Sequence, residues 1–362
     1  MKNQKDSPAD DSNVARPAET TSQPAMSPSA KSAHSLQVER YAPERKAEWD
    51  AFLQNGKNCT FLFQRDYMDY HANRFVDFSL MLYRGKELCA ILPANLVDGH
   101  KVVSHQGLTY GGLVPDRKAG LHDTLEYYDA ILRYMREDHI QIFELRPIPS
   151  FYNSLPSDET NYALFILDAR LIRRDCALVI NQRDPLPFRK GRKSEMSKGK
   201  RFGTTIQEER DYAPFWNQVL IPRLLARYGV EPVHSIEEIT LLASRFPENI
   251  RQFSAYHEDQ ITAGAVIYET PTVAHCQYLS VTELGQKTGA LDYLCGWLIR
   301  ECFQNKHYFD FGICNEQQGR VLNHGMLDWK EAFGGRTYCH DFYEISCANF
   351  VKLAPLITGQ HS

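Results

Sequence analysis

The chain has 362 residues, of which 24% are charged and 43% hydrophobic, and its formal net charge at pH 7 is −4. This length accommodates two ordinary domains with their own cores. The slightly acidic balance gives the chain as a whole no attraction to nucleic acid, although a local basic patch is compatible with it. No apolar run approaches the roughly 20 residues that span a bilayer, so no transmembrane segment is predicted.

The first 35 residues are rich in Ser, Ala, Pro, Asp and Lys and lack the apolar segment of a secretory signal. Such a composition buries too little apolar surface to offset its ordering entropy, so we expect a disordered tail at 1–35. The nine cysteines show no Cys-x-x-Cys or other metal-ligand spacing. They predict reduced core thiols, no metal site and a cytoplasmic location.

The remainder of the chain repeats one order of predicted elements. Residues 78–149 and residues 251–314 each predict a hairpin, a third strand, an amphipathic helix and a closing strand. The second helix has the clearer pattern, because its apolar residues recur at helical spacing along one face. Those residues are Leu291, Leu294, Cys295, Leu298, Ile299, Cys302 and Phe303.

Hairpins separated by helices favour mixed sheets, so the repeat predicts an α+β fold of two similar lobes. Each lobe is expected to be a mixed, mostly antiparallel sheet flanked by helices. We place the N-terminal lobe at 36–172 and the C-terminal lobe at 173–340, and we expect 341–362 to form a terminal strand and helix that return to the N-terminal lobe. The apolar run at 161–168 predicts a further strand. Clefts between lobes are common small-molecule sites.

A short segment between a predicted strand and the second repeat helix is a candidate anion site. Backbone amides at a helix N-terminus bind phosphate, and a glycine lets the ligand approach. The alternative is a strand-to-helix turn that needs the glycine for its own backbone geometry. It comprises Gln286, Lys287, Thr288 and Gly289.

Two further segments near the C-terminus concentrate polar residues among aromatic ones. Asp310 comes near the end of a buried strand, where a carboxylate is either functional or satisfied by loop amides. The segment 322–335 contains His324 and Lys330 beside Trp and Phe, followed by a double glycine. A lysine there either stabilises a developing oxyanion or points outward from a solvated helical turn.

A basic stretch at 189–201 is a candidate for binding phosphate, a nucleotide-linked substrate or RNA. The alternative is a solvated helix face. Its residues of interest are Arg192, Lys193, Lys198 and Arg201.

The glycine-rich segment at 104–113 either allows a ligand to approach the backbone or forms a bulge. Its polar residues that would face a cleft are His105 and Tyr110.

Taken together, these segments resemble the Fem-type branch of the GNAT acyltransferase superfamily over roughly residues 37–345. The resemblance is carried by SHQGLTYGGLV, RKGRKSEMSKGKRFG, FDFGIC and LNHGMLDWKEAFGG. It implies two tandem GNAT-like lobes and transfer of an acyl or aminoacyl group to an amine. In GNAT enzymes the phosphates of coenzyme A lie on a Gln/Arg-x-x-Gly-x-Gly/Ala loop. Gln286 and Gly289 match this loop, but Leu291 replaces its last small residue.

The resemblance also implies roles for single residues. In Fem-type enzymes the donor is an aminoacyl-tRNA, and a lysine in the Lys-x-x-Phe-Gly region assists the leaving group; Lys330 occupies that position. The basic stretch resembles the segment that these enzymes place beside the donor or a nucleotide-linked acceptor.

The leading prediction is an N-acyltransferase that moves an acyl group from acyl-coenzyme A to an amine on an amino sugar or a cell-envelope or polysaccharide precursor. No permanently bound cofactor is expected. The alternatives are a tRNA-dependent aminoacyl transferase and a catalytically silent GNAT-like binding protein. Lys330 is predicted to stabilise negative charge, and the candidates for the base are Asp310, His324 and Tyr110. The segment 286–289 would hold the donor, and His105 with the four basic residues would contact substrate.

Overall fold

The computed structural model describes residues 36–359, so the expected tail at 1–35 lies outside the described residues. The N-terminal lobe contains β1 (Leu36–Arg40), α1 (Lys46–Leu53), α2 (Arg65–Met68), β2 (Val76–Asp77), β3 (Leu80–Arg84), β4 (Glu87–Leu92), β5 (Asn95–Val97), β6 (Lys101–Val103), β7 (Val114–Pro115), α3 (Leu121–Glu137), β8 (Ile142–Leu145) and α4 (Glu159–Ile166).

The C-terminal lobe begins with the long strand that follows α4. It contains β9 (Arg170–Asn181), α5 (Lys190–Arg201), β10 (Thr205–Glu209), α6 (Ala213–Phe215), α7 (Ile221–Tyr228), α8 (Ile236–Arg245), β11 (Ile250–His257), β12 (Gln260–Glu269), β13 (Val273–Val281), α9 (Glu283–Thr288), α10 (Ala290–Trp297), β14 (Tyr308–Ile313), β15 (Asn315–Glu316), β16 (Val321–Leu322), α11 (His324–Ala332), β17 (Arg336–Ser346) and α12 (Ala354–Thr358).

The strands form mixed, antiparallel-rich sheets, which confirms the predicted α+β class. One sheet has eleven strands in the order β10-β11-β12-β13-β14-β9-β17-β8-β6-β5-β2, and a second has four in the order β1-β3-β4-β7. Parallel pairing joins β6 to β8 and β13 to β14. In each lobe the parallel pair flanks the amphipathic helix of the predicted repeat. The hairpin β3–β4 lies in the four-stranded sheet, however, whereas the hairpin β11–β12 lies in the same sheet as its parallel pair.

Strands β9 and β17 connect the two lobes within one continuous sheet. They pair with each other along most of their length, and the end of β17 pairs with β8 of the N-terminal lobe. The boundary expected between residues 172 and 173 therefore falls inside β9, and the lobes share a sheet instead of facing each other with separate ones. The sequence pattern did not predict this strand because its first half, RLIRRDC, is largely polar and mostly accessible to solvent.

The apolar run at 161–168 forms helix α4, so the predicted strand there is wrong. Ala163, Leu164 and Leu167 are buried at helical spacing, whereas Phe165 is 75% exposed. A short apolar run does not distinguish a strand from a buried helical turn, and here packing against the N-terminal core selects the helix.

Residues 341–359 pack against the N-terminal lobe. Cys347 and Leu353 belong to the same apolar cluster as Ile131 and Leu132 of α3. All nine cysteines are free thiols. Within residues 36–359, no helix is long and apolar enough to cross a membrane.

An aromatic core joins the two lobes. Phe61 and Tyr67 of the N-terminal lobe pack against Phe246 and Tyr268 of the C-terminal lobe, with ring centroids 5.4–6.2 Å apart. Aromatic rings contribute large buried areas, so this cluster opposes separation of the lobes.

Helix α5 crosses the start of α10 at two glycines. A Cβ at Gly199 would lie 2.7 Å from Cβ of Tyr293 and 2.8 Å from the carbonyl oxygen of Gly289. Gly289 has φ +76° and would itself meet the carbonyl oxygen of Glu195 at 2.5 Å. The close approach of the two helices therefore requires both glycines.

We expect Gly199→Ala to destabilise the protein by about 1–3 kcal/mol, because the added methyl group must push α5 away from α10. The matched control is Gly191→Ala on the same helix, where nothing lies within 4 Å of the added atom. That control should be neutral or stabilising by up to ~1 kcal/mol through helix propensity. Chemical denaturation measures the unfolding free energy of each variant. Equal values for the two variants would contradict a tight contact between α5 and α10 at Gly199.

Candidate active site

A cavity of about 970 Å³ lies beside the parallel pair β13 and β14. These strands pair only at Val273–Tyr308, Ala274–Phe309 and His275–Asp310, although both continue beyond those residues. The cavity has the volume of a small-molecule site, and both lobes contribute to its walls.

The buried side chain of Lys330, on α11, lines this cavity. Its ammonium donates to the carbonyl oxygens of Gly312 at 3.0 Å and Ile313 at 2.6 Å, and the side chain is buried. An ammonium has three N–H donors, so one remains for a ligand. Burial lowers the pKa of Lys330 to about 8, partly opposed by the nearby Asp310 carboxylate. The side chain is therefore mainly charged at pH 7 and close to its titration point.

Asp310 forms the centre of a buried hydrogen-bonded group. Its Oδ2 accepts from Nδ1 of His275 at 2.7 Å and from the Tyr152 hydroxyl at 3.2 Å, and its Oδ1 accepts from the Gly312 amide at 2.7 Å. Burial opposes ionisation of this carboxyl group, but His275, the Gly312 amide and Lys330 outweigh it and hold the pKa of Asp310 below its usual value. Asp310 is thus an anion that orients the His275 ring.

The Gly312 backbone makes this geometry possible. Its φ of +71° lies in the left-handed region that favours glycine, and the register of β14 against β9 shifts between Asp310 and Ile313. A bulge of this kind redirects backbone groups. Here it turns one amide toward Asp310 and two carbonyls toward Lys330.

His275 is the functional candidate that the sequence did not reveal. It lies in an apolar strand, AHCQYLSV, and only its pairing with Asp310 across the parallel strands distinguishes it. With Nδ1 donating to Asp310, its Nε2 is the basic nitrogen, and no residue among 36–359 occupies that atom. His275 lines the cavity, so this nitrogen is available to a ligand.

Of the other two predicted catalytic residues, one lines the cavity and one does not. Tyr110 lines the cavity with Lys330 and Asp310, and its hydroxyl donates to Oγ1 of Thr60 at 3.1 Å. Burial raises the pKa of Tyr110, so its phenol stays protonated. His324 is exposed as the first residue of α11 and does not line the cavity.

The predicted phosphate segment folds as the end of helix α9. The Gln286 amide donates to the Thr282 carbonyl at 3.0 Å, and the Gly289 amide donates to the Gly285 carbonyl. Gln286 lines the cavity, whereas Lys287, Thr288 and Gly289 do not. The amides of Gln286 and Gly289 are therefore satisfied within the helix, and α5 packs over Gly289.

The basic stretch forms helix α5, which borders the cavity. Arg192 lines the cavity and forms an ion pair with Asp292, which also accepts from Nε1 of Trp329 at 3.2 Å. Lys198 pairs with Glu195 at 3.5 Å. The remaining predicted residues, Lys193 and Arg201, are exposed outside the cavity.

His105 is buried away from the cavity. Its ring lies among aromatic side chains, with centroids 5.4 Å from His71 and 5.5 Å from Phe75. Burial lowers the pKa of His105 to about 3, so it is neutral at physiological pH. Among residues 36–359, no group of His, Cys, Asp and Glu has the arrangement of a metal site.

No protein-family model matches this chain, and no curated protein matches it. Several solved structures match it. FemX matches with a TM-score of 0.61 and 11% identity over 88% of this chain and 99% of its own.

A domain of a putative lysylphosphatidylglycerol synthetase and the protein L-PGS are also similar in structure. The C-terminal domain of the putative enzyme from Agrobacterium fabrum matches with a TM-score of 0.54 and 12% identity, covering 88% of this chain and 96% of its own. L-PGS from Bacillus licheniformis matches with a TM-score of 0.53 and 12% identity, covering 89% and 98%. At these identities the likeness concerns the fold. The chain therefore has a Fem-like fold, in agreement with the Fem-type resemblance of its sequence.

Proposed function

We propose that the protein is a transferase that moves an acyl or aminoacyl group onto an amine in the cavity. The observation that carries this proposal is the placement of a buried lysine and an Asp-oriented histidine on the same cavity, from elements far apart in the chain. The similar folds of FemX, L-PGS and the domain of the putative lysylphosphatidylglycerol synthetase support it.

The side chains fit direct transfer. The acceptor amine attacks the donor carbonyl, forming a C–N bond and an oxyanion, and the C–O bond of an ester or the C–S bond of a thioester then breaks. Nε2 of His275 takes the proton that the amine loses, while Asp310 stabilises the resulting imidazolium. The free N–H of Lys330 stabilises the negative charge on the oxyanion or on the leaving group.

A covalent acyl-enzyme on the cavity cysteine is not favoured. Cys276 lines the cavity, but burial raises the pKa of its thiol. A thiol that stays protonated is a weak nucleophile. The group therefore passes directly from donor to acceptor.

An aminoacyl-tRNA donor fits the surroundings of the cavity better than acyl-coenzyme A. The amides of Gln286 and Gly289, expected to hold the phosphates of coenzyme A, are satisfied within α9. Beside the cavity, α5 instead presents exposed cations without an ion pair among residues 36–359. A polyanion such as tRNA complements that surface. These cations are Lys190, Lys193, Lys200 and Arg201.

The acceptor in this proposal is an amino sugar or a cell-envelope precursor with a free amine. Incubating the protein with total aminoacylated tRNA or with acetyl-coenzyme A, each with such amines, tests the function by the mass added to the acceptor. We expect an aminoacyl increment in the first mixture. An acetyl increment only would favour acyl-coenzyme A, and no increment in either would favour a silent binding protein.

We expect Lys330→Met to lower turnover by about 10²–10³-fold, the usual effect of removing one oxyanion donor. Wild-type turnover should fall as pH rises through about 8, where the ammonium loses its proton. Lys330→Arg should resist that decline because a guanidinium stays charged. Lys86→Ala, on an exposed hairpin, is the control. A wild-type rate unchanged between pH 7 and pH 9 would exclude the charged lysine from the mechanism.

We expect His275→Gln to lower turnover by about 10²–10⁴-fold, because it removes the general base. His324→Gln should leave turnover unchanged, since that histidine is exposed outside the cavity. Steady-state kinetics on both variants separates the two histidines. The reverse order of effects would mean that the base is His324.

We expect simultaneous substitution of Lys193, Lys200 and Arg201 by Glu to weaken tRNA binding strongly and to reduce its salt dependence by roughly two to three units of slope. The control replaces the exposed Lys86, Arg117 and Lys118 of the N-terminal lobe by Glu. Filter binding at several salt concentrations measures both. Equal losses in the two triple variants would show only a net-charge effect.

A further inference from the structure

A second polar cluster lies on the same cavity at the junction of the lobes. Arg146 follows β8, Arg173 belongs to β9, and both guanidinium groups lie against the ring of Phe342 on β17, with Cζ atoms 5.2 and 4.5 Å from its centroid. His340, two residues before Phe342, completes the cluster. All four side chains line the cavity, and the described mechanism uses none of them.

The two arginines are fixed by ion pairs and retain N–H donors that a ligand could use. Nε and Nη2 of Arg146 donate to Oε1 of Glu144 at 2.9 and 2.7 Å, and Nε and Nη2 of Arg173 donate to Asp175 at 2.7–3.0 Å. The Nη1 group of each arginine has no partner among residues 36–359. Two fixed guanidinium groups with unused N–H donors form a preorganised site for an oxyanion.

His340 gives independent evidence for a ligand. It is 6% exposed, and its Nε2 has no hydrogen-bond partner in the described part of the chain. Buried polar atoms are nearly always paired, so an unpaired one at a cavity indicates a missing partner. Burial lowers the pKa of His340 to about 4, so the ring is neutral at pH 7 and its Nε2 can donate to an anion without a second proton.

The local charge favours a monoanion. Glu144 also pairs with Lys101 at 2.6 Å, so Lys101, Arg146 and Arg173 oppose two carboxylates. The cluster therefore carries one net positive charge, which a carboxylate balances and a dianionic phosphate exceeds. The cavity as a whole has six lysine and arginine side chains against four carboxylates, which also favours an anionic ligand.

The cluster adjoins the reacting groups. His340 lies near enough to both Asp175 and Asp310 for each carboxylate to act on it. A ligand held by the arginines would thus extend toward His275 and Lys330.

We propose that Arg146, Arg173 and His340 bind a carboxylate of the acceptor, which makes the acceptor a molecule with both an amine and a carboxylate. Amino acids, peptides with a free C-terminus and acidic amino sugars belong to this class. The identification of the ligand as the acceptor rests on the proposed function. The carboxylate site itself rests on the cluster alone.

Direct binding to the full chain tests the site without any donor. Two matched pairs serve as probes in ligand-observed NMR titrations: muramic acid with glucosamine, and alanyl-alanine with its C-terminal amide. We expect the carboxylate member of at least one pair to bind about tenfold or more tightly than its partner. Arg146→Gln should abolish that preference and leave the binding of the partner unchanged.

Arg146→Gln is the suitable variant because Glu144 keeps Lys101 as a partner, whereas Arg173→Gln would leave the buried Asp175 without its cation. An Arg146→Lys variant should recover only part of the preference, since it lacks the planar fork. A purely structural role for Arg146 would instead lower the affinity for both members of each pair. Glucosamine 6-phosphate tests the rival anion.

The site is overturned if neither carboxylate probe is preferred, if Arg146→Gln retains the preference, or if the phosphate binds more tightly than the carboxylates. Each of these results leaves the transfer reaction untouched. Conversely, intact carboxylate binding together with no group transfer from either donor would contradict the proposed function and leave the site standing.

Discussion

The limited pairing of β13 with β14 is the constraint on which the candidate site depends. After three residue pairs the strands stop pairing, and the bulge at Gly312 turns two carbonyl oxygens toward the space beside them. A buried carbonyl needs a donor, and Lys330 supplies one to both. The same burial lowers the pKa of this lysine, while the adjacent Asp310 keeps it mainly charged at pH 7. A requirement of the backbone thus places the ammonium group of Lys330 on the cavity.

The continuous sheet determines what else reaches that cavity. Because β9 and β17 run through both lobes, the side chains of Arg173, His340 and Phe342 meet Arg146 of the N-terminal lobe. Two separate sheets would have to bring such groups together across a mobile interface. Shared strands and the aromatic core instead fix them, so the groups assigned to the two ends of the proposed acceptor are preorganised.

The crossing of α5 over α10 links the packing of the C-terminal lobe to the choice of donor. Gly199 and Gly289 allow the helices to touch, and this contact covers the segment that resembles a coenzyme A loop. It also holds the exposed cations of α5 beside the cavity. In the proposed function, this position of α5 is the reason for preferring an aminoacyl-tRNA donor on the adjacent surface to coenzyme A at 286–289.

The sequence by itself determined the repeated order of elements and the two amphipathic helices, and it singled out Asp310 and Lys330 as candidates, because each of these depends on residues close together in the chain. It did not predict α4, whose short apolar run has no distinguishing period, or the course of β9 through both lobes. Only the tertiary structure decided that His275 faces Asp310, that His324 stays in solvent, and that Arg146 and Arg173 share the ring of Phe342. These relations come from the register of strands far apart in the chain, and local patterns of polarity contain no information about which distant strands pair.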